Sequence, residues 1–166
     1  MPTQDPNELE VDFMFLADKA ENLNGKLYVM GGGWDRIFMP QFPGPLPIPI
    51  SVAISISVPW NLTNRKFNFA LELTDEDNNR IPLAPEQEVF NVDFETGRPP
   101  GLKPGRPQRT VMTVTLNPGI RFEKEGRYSF HATVDGDELN RVNFDLIPLS
   151  SVAEAQSGPS PAAPQP

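Results

Sequence analysis

Apolar side chains recur along this chain at every second position far more often than at the 3.6-residue period of a helix, which is the pattern of strands that bury one face. The clearest run is Ile48, Ile50, Val52, Ile54, Ile56 and Val58. Pro49, Ser51, Ala53, Ser55 and Ser57 fill the alternate positions, so the run predicts a strand with one bulky β-branched face and one small-residue face. Val11, Phe13, Phe15 and Ala17 mark a first strand in the same way. Leu27 and Val29 open a second, expected to continue past Gly31, Gly32 and Gly33 to Phe38. Further alternation at 67–73, 89–94, 111–116, 128–134 and 142–146 brings the total to about eight strands, and no ten-residue stretch carries a helical pattern. Asp135-Gly136, between the last two, is a pair that adopts the positive φ angles of a tight hairpin turn.

This pattern predicts an all-β fold, a two-sheet antiparallel sandwich of about eight strands. Residues 1–8 (MPTQDPNE) and 150–166 (SSVAEAQSGPSPAAPQP) lack the side chains to join a core. The sandwich is therefore expected over 9–149, with a flexible N-terminal segment and a disordered Pro/Ala/Ser-rich tail. Two connections stand out. Residues 39–49 hold five prolines and favour an extended approach to the central strand, while 96–108 (TGRPPGLKPGRPQ) form a long Pro/Gly loop without an acidic residue.

Charge narrows the partners. Fourteen basic against twenty-two acidic residues leave a net −8, a sign that repels phosphate backbones and anionic lipid, so neither nucleic acid nor a membrane surface is the expected partner. The absence of cysteine removes disulfides, thiolate metal sites and thiol catalysis, and fits a reducing compartment. With no signal pattern and no apolar run of membrane-spanning length, the expected location is the cytoplasm.

The stretch Phe15-Leu16-Ala17-Asp18-Lys19-Ala20-Glu21, followed by Asn24-Gly25-Lys26-Leu27-Tyr28-Val29 and Gly31-Gly32-Gly33-Trp34-Asp35, resembles a family of short bacterial proteins of unknown function, many of them actinobacterial. Gly126-Arg127-Tyr128-Ser129-Phe130 and Asp135-Gly136 match its closing strand and hairpin. The resemblance spans roughly residues 9–147, implies an immunoglobulin-like or related sandwich, and brings no activity with it.

Catalytic and metal chemistry find little support in the spacing. The glycine trio before Trp34 is not followed by a helix pattern, as a phosphate cradle requires, and reads as a bulge or tight strand crossing. Asp75, Asp77, Asn79 and Glu86 fit positions 1, 3, 5 and 12 of a calcium loop, but Arg80 stands where glycine is needed and Pro82 interrupts it. With strands alternating in direction, the acidic turns at 75–77 and 135–138 fall at opposite ends of the sandwich, unless 80–83 forms a separate strand. His131 is the only histidine; with Ser129 and Thr133 it is expected on the solvent face of its strand. No cofactor is expected.

What remains is surface. Arg98, Lys103, Arg106 and Arg109 make the 96–109 loop basic on an acidic chain, which points to a segment that docks a partner, since arginine is enriched at interaction hot spots. The small-residue face of Ser51, Ala53, Ser55 and Ser57 is flat enough for another sheet or a prolyl segment to approach, with cover by the chain's own loops the favoured expectation. The expected function is a non-enzymatic interaction or structural module that binds a protein partner or a copy of itself. The competing readings are a small-molecule or carbohydrate site built on Trp34 and Trp60, with weak hydrolysis as a variant, and an accessory part of a larger phage-like assembly.

Overall fold

The computed structural model describes residues 7–156. Period-two alternation becomes β1 (Glu10–Leu23), β2 (Lys26–Gly32), β3 (Arg36–Met39), β4 (Gly44–Pro45), β5 (Ile50–Val58), β6 (Lys66–Asp75), β7 (Arg80–Ile81), β8 (Val89–Glu95), β9 (Gln108–Leu116), β10 (Arg121–Phe122), β11 (Gly126–Val134) and β12 (Asp137–Pro148). One sheet, A, has the order β2-β1-β5-β9. The other, B, runs β3-β12-β11-β6, with β7 and β8 sharing the far side of β6; β4 and β10 form a small ladder of their own. Every pairing is antiparallel except β3 with β12. The fold is the expected two-sheet sandwich.

Between the sheets, Ile50, Val52, Ile54, Ile56 and Val58 of β5 join Phe69, Leu71 and Leu73 of β6 and Phe130 of β11 in one buried core. Phe122, Tyr128, Phe130 and Phe144 pack ring on ring within it, at centroid separations of 4.8–6.4 Å. Each such ring removes some 150–250 Å² from water, so aromatic burial dominates this end of the core.

Three expectations are corrected. The second strand does not run through the glycines to Phe38. It ends at Gly32, and Gly33 (φ +83) turns the chain so that β3 leaves sheet A and lies parallel to β12 in sheet B. The tail expected from residue 150 begins as a helix, α1 (Leu149–Gln156). The rest of that tail, and residues 1–6 of the flexible N-terminal segment, lie outside the described residues. The third correction concerns His131.

β1 is far longer than its first apolar run because it has two partners. Through Ala17 it pairs with β5, and from Ala17 to Leu23 with β2. The distal half of the β1–β2 hairpin folds back over the outer side of sheet A. There Ala20 packs with Ala17 and Ala53 beneath Phe15 and Leu27, and the Asn22 side-chain amide donates to the Val111 carbonyl at 2.6 Å. Ser51, Ala53 and Ser55 are fully buried as a result. The small-residue face is thus covered by the chain's own hairpin, which only short side chains allow to approach so closely. At the bend, Gly31 (φ +60) sits against the Asp18 carboxylate, where a Cβ would overlap it.

Candidate interaction surface at the β8–β9 seam

β8 ends sheet B and β9 ends sheet A on the same flank of the sandwich, and the chain joins them through residues 96–107. The two strands do not seal the core between them. Phe90, Val92 and Phe94 of β8 and Met112 and Val114 of β9 line a cleft of about 330 Å³. It continues toward one end into a larger cleft of about 750 Å³ between 82–90 and 113–121, and at the loop end a third of about 450 Å³ lies between 95–99 and 108–110. Val92 remains 39% exposed although it lies on the core side of its strand. A long, apolar-floored groove bounded by two strand edges is a geometry that receives extended polypeptide.

The loop end is closed by a hydrogen-bond cluster. The Thr96 and Thr110 hydroxyls meet at 2.5 Å and join the end of β8 to β9. Arg98 lies over the Trp60 ring, 4.5 Å from its centroid, and donates to the Thr63 hydroxyl at 2.5 Å and to the Trp60 carbonyl at 2.7 Å. The four cations expected to act together therefore divide. Arg98 anchors the loop root. Arg109, on β9, donates to Asp12 at 2.6 Å, and Asp12 also accepts from Ser55. Lys103 and Arg106 are exposed and form no ion pair among the described residues.

The tryptophans do not converge on a site. Trp60 is stacked beneath Arg98, whereas Trp34 is half-buried with its ring edge-on to Phe144 at 6.4 Å. Its indole N–H is buried with no hydrogen-bond partner among the described residues. Neither tryptophan lines the three clefts of the seam.

His131 is not solvent-facing. It occupies the outer face of sheet B beside Ser129 and Thr133, as the alternation requires, yet it is only 8% exposed. Its Nδ1–H donates to Glu138 at 2.8 Å, which in the neutral ring leaves Nε2 to accept from the Thr74 hydroxyl at 3.0 Å. Glu138 also accepts from Arg141 at 2.8 Å. The hydrogen bond from His131, with that from Arg141, holds the Glu138 carboxyl below the usual range despite partial burial. Hydroxyl, imidazole and carboxylate stand in the order of a nucleophilic relay. Thr74 is only 6% exposed, however, and the series stands on sheet B's outer face, away from the seam. The sequence pattern gave the correct face for His131 and missed its cover, because Thr74 and Glu138 reach it from neighbouring strands.

The acidic turns are also engaged locally. Asp75 accepts from the backbone N–H groups of Asp77 and Asn79, both at 2.9 Å, and from the Asn79 side chain at 3.1 Å. Burial pushes its carboxyl up, but these bonds and nearby Lys124 outweigh it and hold the group below its ordinary value. β7 does form a separate strand, but it runs beside β6 in the same sense as β8. The 75–79 turn and the 135–136 turn consequently sit at opposite ends of the β6–β11 ladder, where Tyr128 faces Asp75 and Val134 faces Phe69.

Among the described residues, no helix is long and apolar enough to cross a membrane. No curated protein matches the chain. Similar solved structures include the Pseudomonas fluorescens alkylpurine DNA glycosylase AlkC bound to DNA containing an abasic site analogue, with 12% identity and a TM-score of 0.45 over 84% of this chain. The chain spans 30% of that enzyme's length. An immunoglobulin-like protein from Pseudomonas aeruginosa is similar over 84% of this chain and 96% of its own, with 13% identity and a TM-score of 0.35. In sequence, residues 12–147 match a family described only as of unknown function. Because that match reaches from β1 into β12 and so takes in both sheets, the chain belongs to this family of unknown function (DUF6941).

Proposed function

We propose that this domain is a non-catalytic protein-interaction module that receives a partner protein along the β8–β9 seam, with the 96–107 loop as one rim. The observation that carries the reading is the seam itself. Two sheet edges stand open over an apolar floor, and half-exposed Phe90, Phe94 and Met112 lie with Val92 where a sealed sandwich would bury them. Lys103 and Arg106 add two uncommitted cations beside it. The buried Thr74 hydroxyl supports the non-catalytic part of the reading, and the lack of cysteine suits a cytoplasmic setting.

The test places a photo-crosslinking residue at Val92 or, as a control, at Ser129 on the outer face of sheet B, and identifies cross-linked proteins in the native cell. A partner joined from position 92 and not from 129, and reduced in yield by Lys103→Ser with Arg106→Ser, supports the seam. Equal yields from both positions, or none from either, overturn it. Arg98 and Arg109 are left intact, since both hold structure. The larger cleft, walled by Leu83, Phe90, Leu116 and Ile120, supports a second reading as a small-molecule site; a ligand that shifts resonances of those residues alone would favour it.

A further inference from the structure

Sheet B ends in a strand with one side unoccupied. β8 pairs with β6 from Glu95 opposite Lys66 to Val89 opposite Glu72, in unbroken register. On its other side no strand of the described residues joins it, and no loop backbone bonds to residues 89–95. Alternate residues of an edge strand turn both N–H and C=O outward, so β8 offers a ladder without a partner. Sheets ordinarily guard such edges with proline, charged side chains (lysine above all), a bulge or a covering loop. The β8 sequence, VFNVDFE, holds no proline, lysine or bulge, and its two charges, Asp93 and Glu95, repel acidic strands while leaving the edge open to basic ones. On β9, the other terminal strand of this flank, Asn22 of the folded-back hairpin donates to the Val111 carbonyl and lines the 330 Å³ cleft.

The two faces of β8 state what would pair with it. Phe90, Val92 and Phe94 face inward beside the 330 Å³ cleft, so a strand laid alongside would place apolar side chains there. Asp93 and Glu95 face outward. Among the described residues, Asp93 accepts a side-chain hydrogen bond only from the neutral Asn68 amide, at 2.8 Å, and Glu95 forms no ion pair with Lys66, which stands directly across the ladder. Opposite charges on facing ladder positions attract and like charges repel. A second copy of this chain brings another net −8 and, edge to edge, would set the carboxylates of both β8 strands on one ladder.

We propose that β8 is the acceptor edge for an extended segment of a different protein in which apolar residues alternate with lysine or arginine, added as a further strand of sheet B. This rests on the reading of the seam as a protein-docking surface and names its chemistry.

The probe is a fluorescein-labelled synthetic peptide of alternating valine and lysine, measured by fluorescence anisotropy against the whole chain. Two relatives accompany it, one with glutamate for every lysine and one with the basic sequence N-methylated at alternate backbone positions. The basic peptide is expected to bind at least ten-fold more tightly than either relative, and to slow amide exchange at 89–95. The double variant Asp93→Asn with Glu95→Gln, which alters exposed side chains only, is expected to erase most of the preference over the glutamate peptide.

Equal binding of the N-methylated peptide would reduce the effect to unspecific charge attraction and overturn the proposal, as would equal binding of the glutamate peptide or no binding of any. Sedimentation showing a dimer whose 89–95 amides are protected without peptide would make a second copy the occupant, and also overturn it. If cross-linking from Val92 still captures a partner while the basic peptide fails, the docking surface stands and only its strand-addition chemistry falls.

Discussion

Replacing Thr74 by valine keeps the branched shape of the side chain and deletes its hydroxyl, which leaves Nε2 of His131 buried without the partner it now has at 3.0 Å. An unmet buried polar group costs about 1–3 kcal/mol. The valine methyl recovers part of that through apolar burial, roughly 0.8 kcal/mol for a methylene-sized group, so a net loss of about 1–2 kcal/mol is expected. For a chain of this size each kcal/mol lowers Tm by about 2–4 °C. The prediction is therefore a fall of roughly 2–8 °C, and of several tenths of a molar in the urea midpoint followed by tryptophan fluorescence. Thr133→Val is the matched control. Thr133 lies on the same face two residues from His131, is half-buried, and makes no side-chain hydrogen bond among the described residues, so its replacement should stay within about 0.5 kcal/mol. If Thr74→Val destabilises no more than Thr133→Val, the series through His131 does not stabilise the sheet, and its burial has another cause.

Arg98→Ala removes the guanidinium from Trp60 and two hydrogen bonds; a loss of about 1–2 kcal/mol with faster amide exchange across 97–107 is expected, whereas Lys103→Ala should leave both within error. Gly31→Ala meets the Asp18 side chain at a positive φ, while Gly33→Ala has a positive φ and open space. Both should lose about 1 kcal/mol from backbone strain, and a urea titration should show the greater loss for Gly31→Ala. Acid should destabilise the fold. Hydrogen bonds from His131 and Arg127 hold Glu138 and Asp145 below the ordinary carboxylate range, and Asp75 is also held below it. The unfolded chain then binds more protons than the native one, so the stabilisation present above about pH 4.5 is lost as pH falls through the folded values. A urea midpoint that rises between pH 5 and pH 3 would contradict this sign.

The strands were legible because bulky apolar side chains recur at every second residue, and Ile50 to Val58 shows this most fully, although there the small-residue face is buried as well. Pairings between distant strands leave no such record. Nothing at Gly33 distinguishes a bulge within one sheet from a passage between two, since both ask only for a residue that tolerates positive φ. The cover over Ser51, Ala53 and Ser55 comes from a hairpin whose own sequence looks like an ordinary edge, and Asn22 becomes informative only beside Val111. At the loop, four cations within a dozen residues read as one patch. Arg98 and Arg109 proved to be committed to Trp60 and Asp12, residues remote in sequence, and only Lys103 and Arg106 kept the character their composition suggested. The seam itself was hidden for the same reason, because no local pattern says that two strands will be the last of their sheets.

The parallel pairing of β3 with β12 also sets an order in time. Arg36 lies opposite Asp145 and Met39 opposite Pro148, so the strand that β3 joins is made about a hundred residues later. At synthesis rates of about 5–20 residues per second, that interval is on the order of 5–20 s. While the chain is still being synthesised, β1, β2 and β5 already have one another as partners, whereas β3 has none until β12 leaves the ribosome. The segment between the glycines and the proline-rich stretch must wait for β12, so sheet B gains its β3 edge only after every other strand described has been made.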